Sequence, residues 1–208
     1  MPIKILYIHG YGSTGNSQTV QGLRKFLDEK AIIHAPQFSN DLSSFEKIKQ
    51  NIEHARKHRE EFRPHIVIGS SFGGFITTFL DGSFRIIINP CLRPSERLDT
   101  LSPNMSQEDI EKLKEFESSH VSNIDIEDRF FTYGLFGLND ELFSYLSLFE
   151  KIYRKDRVYT MPSGHRIDIV NIENHLIPLI WEVKKDQDNF NPEGFNFCGD
   201  NGLFDDID

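Results

Sequence analysis

The chain has 208 residues, with 23 Lys and Arg against 32 Asp and Glu, and its formal charge of −9 leaves no basic field for nucleic acid or an anionic membrane. This length suits one domain with a proper core, to which 18 Phe contribute. Cys91 and Cys198 are too far apart in sequence for a disulfide framework or a zinc site, so both read as free thiols and no metal centre is expected. Met1 to Lys4 leads straight into strand-like sequence without the pattern of a secretory signal, and no run approaches a membrane span. A cytoplasmic location is the resulting expectation.

Taken in order, IKILYI at 3–8 reads as a strand ending in the tight loop His9-Gly10-Tyr11-Gly12-Ser13. Asn16 or Ser17 can cap a helix with Val20, Leu23, Phe26 and Leu27 inward. AIIHAP at 31–36 reads as a second strand. Ser43 or Ser44 caps a helix to about Phe62, with Phe45, Ile48, Ile52 and Ala55 inward. An apolar strand at 65–69, a helix from Phe72 to Leu80 and the strand FRIIIN at 84–89 continue the alternation. Strands that are apolar throughout and alternate with helices predict an α/β fold with a parallel sheet covered on both faces.

Residues 90–128 break the rhythm, being long for a connection between sheet elements. Ser106 with Asp109 resembles a capping box, followed by Ile110, Leu113 and Phe116 at helical spacing. The segment is expected either as a lid over the active edge or as a solvent-exposed excursion. RFFTYGLFG at 129–137 predicts a strand, Glu141 to Arg154 a helix, RVYTM at 157–161 a strand, and Ile167 to Val183 a last helix that Pro178 kinks or ends. From 184 the composition turns to Asp, Asn and Gly with four Phe, read as a disordered acidic tail or a segment whose aromatics dock.

Gly69, Ser71 and Gly73 match G-x-S-x-G, the nucleophile elbow, in which a sharp strand-to-helix turn lifts one serine above the end of a parallel sheet. A serine hydroxyl at neutral pH needs a general base, and the base needs an acid that holds its tautomer. In this arrangement the order along the chain is serine, acid, histidine. His120 lies in the hydrophilic insertion and His175 inside the last helix, whereas His165 sits in a Pro-Ser-Gly loop at the carboxyl end of the last strand. Asp140 occupies the loop after the preceding strand, with Glu141 the fallback. Asp125, Asp128 and Asp156 precede their strands and so fall on the wrong edge. Oxyanion donors are expected from the backbone N–H groups of Phe72 and Tyr11, ahead of Gly12, while His9 reads as a structural loop residue.

Together, IKILYIHGYGSTGNS, HIVIGSSFGGF, IIINPCLRP, GLNDEL and PSGHRI resemble the YqiA-like esterases, a small branch of the α/β-hydrolase superfamily, over about residues 3–182. The resemblance implies a compact α/β-hydrolase fold: a mostly parallel sheet of about six strands with helices on both faces. It also implies esterase activity on a small-molecule ester or acylated substrate, no cofactor, and Ser71, Asp140 and His165 as nucleophile, acid and base. The expected division is a hydrolase domain over 1–183, with an inserted lid-like segment at about 91–128, and the tail 184–208. Ester and thioester both fit, and nothing in the pattern sets an oligomeric state. Arg93 reads as a structural arginine bonding loop carbonyls rather than a substrate clamp, and Tyr11, Phe72 and Phe75 as acyl-pocket residues or plain core. A second reading keeps the triad as an inheritance in a hydrolase-fold binding protein that works through its tail. No P-loop lysine follows any strand.

Overall fold

The computed structural model describes residues 1–101 and 104–190. Its elements in chain order are β1 (Ile3–Ile8), α1 (Gln18–Leu27), β2 (Ala31–His34), α2 (Phe45–Phe62), β3 (Ile66–Ser70), α3 (Phe72–Thr77) and β4 (Arg85–Ile88). After these come α4 (Leu98–Leu101), α5 (Gln107–Asn123), α6 (Ile126–Phe131), β5 (Thr132–Gly137), α7 (Leu146–Ile152), β6 (Val158–Met161), α8 (Ile169–Asn171) and α9 (Ile177–Asn189). The strands form one parallel sheet in the order β2-β1-β3-β4-β5-β6. The order reverses between β1 and β3, so the loops after these two strands diverge and leave a crevice at the carboxyl edge, where α/β sheets place their sites.

Side-chain alternation along each strand divides the core between two faces. Leu6, Ile8, Val67 and Ile87 pack with residues of α2, α3, α5 and α7. Ile5, Tyr7, Ile66, Ile68, Ile86, Ile88 and Tyr133 pack on the other face against α1 and α9. Burial on both faces explains why the strands read as continuous apolar runs. Fully buried Arg85 at the start of β4 is the exception, and every part of its guanidinium is used. Nε donates to Thr132 Oγ1 at 2.6 Å, Nη1 to the carbonyls of Thr78 and Leu80, and Nη2 pairs with Asp128 at 3.0 Å.

Caps confirm the local reading at several boundaries. Ser17, Ser44 and Ser106 each accept a backbone N–H three residues on and open α1, α2 and α5. Three differences from the sequence expectation have local causes. Residues 129–131 end a short helix rather than begin β5, because the Asp125 carboxylate caps α6 through the Asp128 amide at 2.8 Å. Residues 141–145 stay outside α7 and form a turn in which Asp140 accepts the amides of Leu142 and Phe143. The last helical run includes a π-helical stretch, Ile172–Leu176, immediately before Pro178. Pro178 has no N–H and its ring crowds the carbonyl four residues back, and the wider turns ahead of it make room.

Within 91–128, α5 lies against α2. Phe116 meets Phe45 edge-on and stacks on Phe79, His120 stacks on Phe79, and Glu117 accepts the amide and hydroxyl of Ser95 at 2.8 and 2.6 Å. Residues 184–189, compositionally the start of the tail, form the last turns of α9, where Gln187 donates to the His65 carbonyl at 2.7 Å. The remainder of the expected tail, 191–208, lies outside the described residues. Among the described residues, no helix is long and apolar enough to cross a membrane.

Candidate functional site

β3 and α3 meet at Ser71, which has φ 57° and ψ −121°. A non-glycine residue in that region costs of the order of 1–3 kcal/mol and persists only where its surroundings over-determine it. Here the Ser71 amide donates to the Ile88 carbonyl at 2.9 Å, and its own carbonyl accepts from Gly74 and Cys91 at 2.9 and 3.1 Å. The flanking glycines are required by close approach. A Cβ on Gly69 would stand 2.1 Å from Thr77 Oγ1, and one on Gly73 2.2 Å from the Ile8 carbonyl oxygen.

The sheet then brings two distant loops to this serine. His165, in the loop after β6, has Nε2 3.0 Å from Ser71 Oγ. Its Nδ1 stands 3.1 and 3.0 Å from the two oxygens of Asp140, in the loop after β5. A carboxylate only accepts, so Nδ1 carries the proton and Nε2 is the lone pair facing the serine hydroxyl. Asp140 is held in turn by the amides of Leu142 and Phe143 at 2.8 and 2.9 Å. Phe143 meets the His165 ring edge-on at 4.8 Å, and the side chains of His165 and Asp140 are only 9% and 6% exposed.

On the other side of Ser71, Gly10 to Ser13 form a tight turn in which the Ser13 amide donates to the Gly10 carbonyl at 3.2 Å and Gly12 takes φ 69°. Gly10 backs directly onto Ser71: a Cβ there would stand 2.9 Å from the Ser71 Cβ. The turn therefore holds the Tyr11 backbone at the rim of the crevice, with the residue 42% exposed. The Phe72 amide opens α3, where first-turn N–H groups have no helical partner. His9 is buried with both nitrogens engaged: Nδ1 donates to the Gly10 carbonyl at 2.9 Å, and Nε2 accepts the Phe38 amide at 2.9 Å. Burial pushes its pKa down, and it props the turn.

Two residues that the sequence reading did not assign to holding the histidine turn out to hold it. Asn89, at φ 43° directly after β4, donates from Nδ2 to the carbonyls of Gly164 and His165 at 3.1 and 2.8 Å. Its Oδ1 accepts the Gly137 amide at 2.6 Å. Glu141 accepts the His165 amide at 2.9 Å, and that bond lowers the Glu141 pKa. The asparagine of the INP run was the available signal for the first. The Glu141 position beside Asp140 was visible, but only as a substitute acid.

Phe72 and Phe75 are buried in the core. The Arg93 guanidinium, half-exposed, pairs with Glu96 at 3.3 Å rather than with loop carbonyls. His120 is displaced to the helical layer, where its Nε2 lies 3.0 Å from Thr78 Oγ1. Cys91 is buried, which pushes its thiol pKa well up. Two grooves, of about 420 and about 210 Å³, lie elsewhere: one between Arg59, His65 and Phe84, the other between Arg93, Glu117 and Leu148.

The uncharacterised protein family UPF0227 matches residues 4–181. The chain belongs to that family. No curated protein matches the sequence. Among solved structures, this UPF0227 chain is similar to the ydeN gene product from B. subtilis, at 12% identity and TM-score 0.61, over 90% of this chain and all (100%) of that one. It is also similar to mouse alpha/beta hydrolase domain-containing protein 10, at 16% identity and TM-score 0.56, over 86% of this chain and 90% of the other. A third is the esterase RhEst1 from Rhodococcus sp. ECU1013, at 10% identity and TM-score 0.53, over 91% and 92% of the two chains. At such identities the likeness establishes the fold, which is that of the α/β-hydrolases.

Proposed function

We propose that the protein is a serine hydrolase that cleaves carboxylic esters or thioesters through an acyl-enzyme. The observation that carries this reading is the unbroken hydrogen-bonded row from Ser71 Oγ through His165 to Asp140 at the carboxyl edge. The esterase and hydrolase structures that share the fold support the same class of chemistry.

In the first half-reaction, Ser71 Oγ attacks the acyl carbon while its proton passes to His165 Nε2. Asp140 keeps the proton on Nδ1 and stabilises the imidazolium that forms. The backbone N–H groups of Phe72 and Tyr11 stabilise the developing oxyanion, and losing one such donor costs on the order of 10²-fold in rate. Nε2 then returns the proton to the leaving alcohol or thiol. Water adds to the acyl-serine by the same route and releases the acid.

Two measurements test this: turnover of a short-chain aryl ester, and labelling by a fluorophosphonate probe. Ser71→Ala is expected to abolish both, and His165→Ala to abolish labelling while the circular dichroism spectrum stays native. Undiminished turnover in Ser71→Ala sinks the assignment.

A further inference from the structure

Between α2 and the carboxyl end of the edge strand β2, three imidazoles form a row that the hydrolytic site does not use. His34 Nε2 stands 3.0 Å from His58 Nδ1, and His58 Nε2 stands 3.2 Å from His54 Nε2. His54 and His58 lie four residues apart on α2, so their side chains share one face of the helix. His54 is exposed, and His34 and His58 are half-buried.

Four-coordinate zinc holds imidazole nitrogens at roughly 2.0–2.1 Å, so two of them stand about 3.3 Å apart along an edge of the tetrahedron. The His54 and His58 Nε2 atoms are already at nearly that separation. We propose that His54 Nε2 and His58 Nε2 form a two-histidine chelate for a divalent d-block cation, zinc fitting best, with His34 the outer partner that fixes the His58 tautomer. Among the described residues no group of three or more His, Cys, Asp or Glu could hold a metal ion, so water fills the remaining positions. Imidazole donors select d-block ions over calcium and magnesium, which require oxygen.

The protons balance. When His58 donates Nδ1–H to His34 Nε2, its own Nε2 presents a lone pair to His54, as metal-binding histidines commonly do when the other ring nitrogen is engaged. Without a cation, His54 supplies Nε2–H to that lone pair. On binding, the exposed His54 ring moves its proton to Nδ1 through solvent, and the cation takes both lone pairs without net proton release.

The test is calorimetric titration of the full chain with Zn²⁺ in a non-coordinating buffer at pH 7.5. A site with one zinc per chain is expected. His54→Gln and His58→Ala each lose at least tenfold in affinity, and His34→Ala loses about tenfold, the usual effect of removing an outer partner. With Cu²⁺ in place of zinc, nitrogen hyperfine structure in the electron paramagnetic spectrum reports two imidazoles in the wild type and one in His54→Gln. His54 is exposed, so His54→Gln keeps the proposal testable should His58→Ala fail to fold. Absence of binding at millimolar zinc, or affinity unchanged in both His54→Gln and His58→Ala, overturns the chelate. Unchanged affinity in His34→Ala overturns the outer-partner role.

Discussion

Asn89 holds His165 from the end of another strand: its side-chain amide donates to the His165 carbonyl at 2.8 Å and to the neighbouring Gly164 carbonyl at 3.1 Å. The same side chain accepts the Gly137 amide at the end of β5, three residues before Asp140. One buried residue thus sets the spacing between the loop that carries His165 and the loop that carries Asp140.

Asn89→Ala removes all three bonds, and a displacement of His165 by about 1 Å is enough for a loss of the order of 10²-fold in rate. Fluorophosphonate labelling should slow in parallel. The Gly137 amide and the His165 carbonyl, left without these partners, should cost roughly 1–3 kcal/mol each in urea unfolding. Wild-type kcat in Asn89→Ala would count against a positioning role.

Ser71 has φ 57°, a conformation glycine adopts without strain. Ser71→Gly is expected to raise stability by roughly 1 kcal/mol while abolishing turnover. Thermal melts of the variant beside Ser71→Ala, which keeps the strain, measure the difference.

His120 gives a pH dependence of stability with a defined sign. Burial against Phe79 and Thr78 pushes its pKa down from the ordinary 6.5 to about 4. As pH falls below 6.5, the unfolded chain binds a proton that the folded chain refuses until about pH 4, so this stabilisation is fully present above pH 6.5 and is lost across that window. The loss is up to ~3 kcal/mol. His120→Gln keeps a donor for Thr78 but does not titrate. Urea midpoints of wild type and variant should therefore converge or cross as pH drops from 6.5 to 4, and parallel curves would exclude His120 as the source.

Arg85 and Asp128 form a buried pair whose partners cannot be removed singly. Asp128→Ala leaves the guanidinium uncompensated, at a cost of roughly 3–5 kcal/mol. The double variant Arg85→Met with Asp128→Leu should recover most of that loss in the same denaturation assay, because it removes both desolvation penalties.

Most of the fold was legible because it rests on local signals. Apolar runs, serine caps and punctuating Gly and Pro act within a few residues of themselves, and the parallel sheet follows from strands that are apolar on both faces. Where the reading failed, as at 129–131 and 141–145, a side-chain carboxylate set the local backbone: Asp125 caps a short helix, and Asp140 binds the amides of Leu142 and Phe143 in a turn. The candidate site was legible for a different reason: chain order and strand ends bring Ser71, Asp140 and His165 to one edge, whatever the details of packing.

What the sequence by itself determined is the element order, the strained turn at Ser71 and the strand ends that carry its partners, since these depend on neighbours along the chain. Only the tertiary structure decided which residues hold those partners in register. Asn89 reaches His165 across 76 residues, Glu141 reaches it across 24, and His34 reaches His58 across 24. Such bonds exist only after the sheet has formed, so no local pattern foretells them.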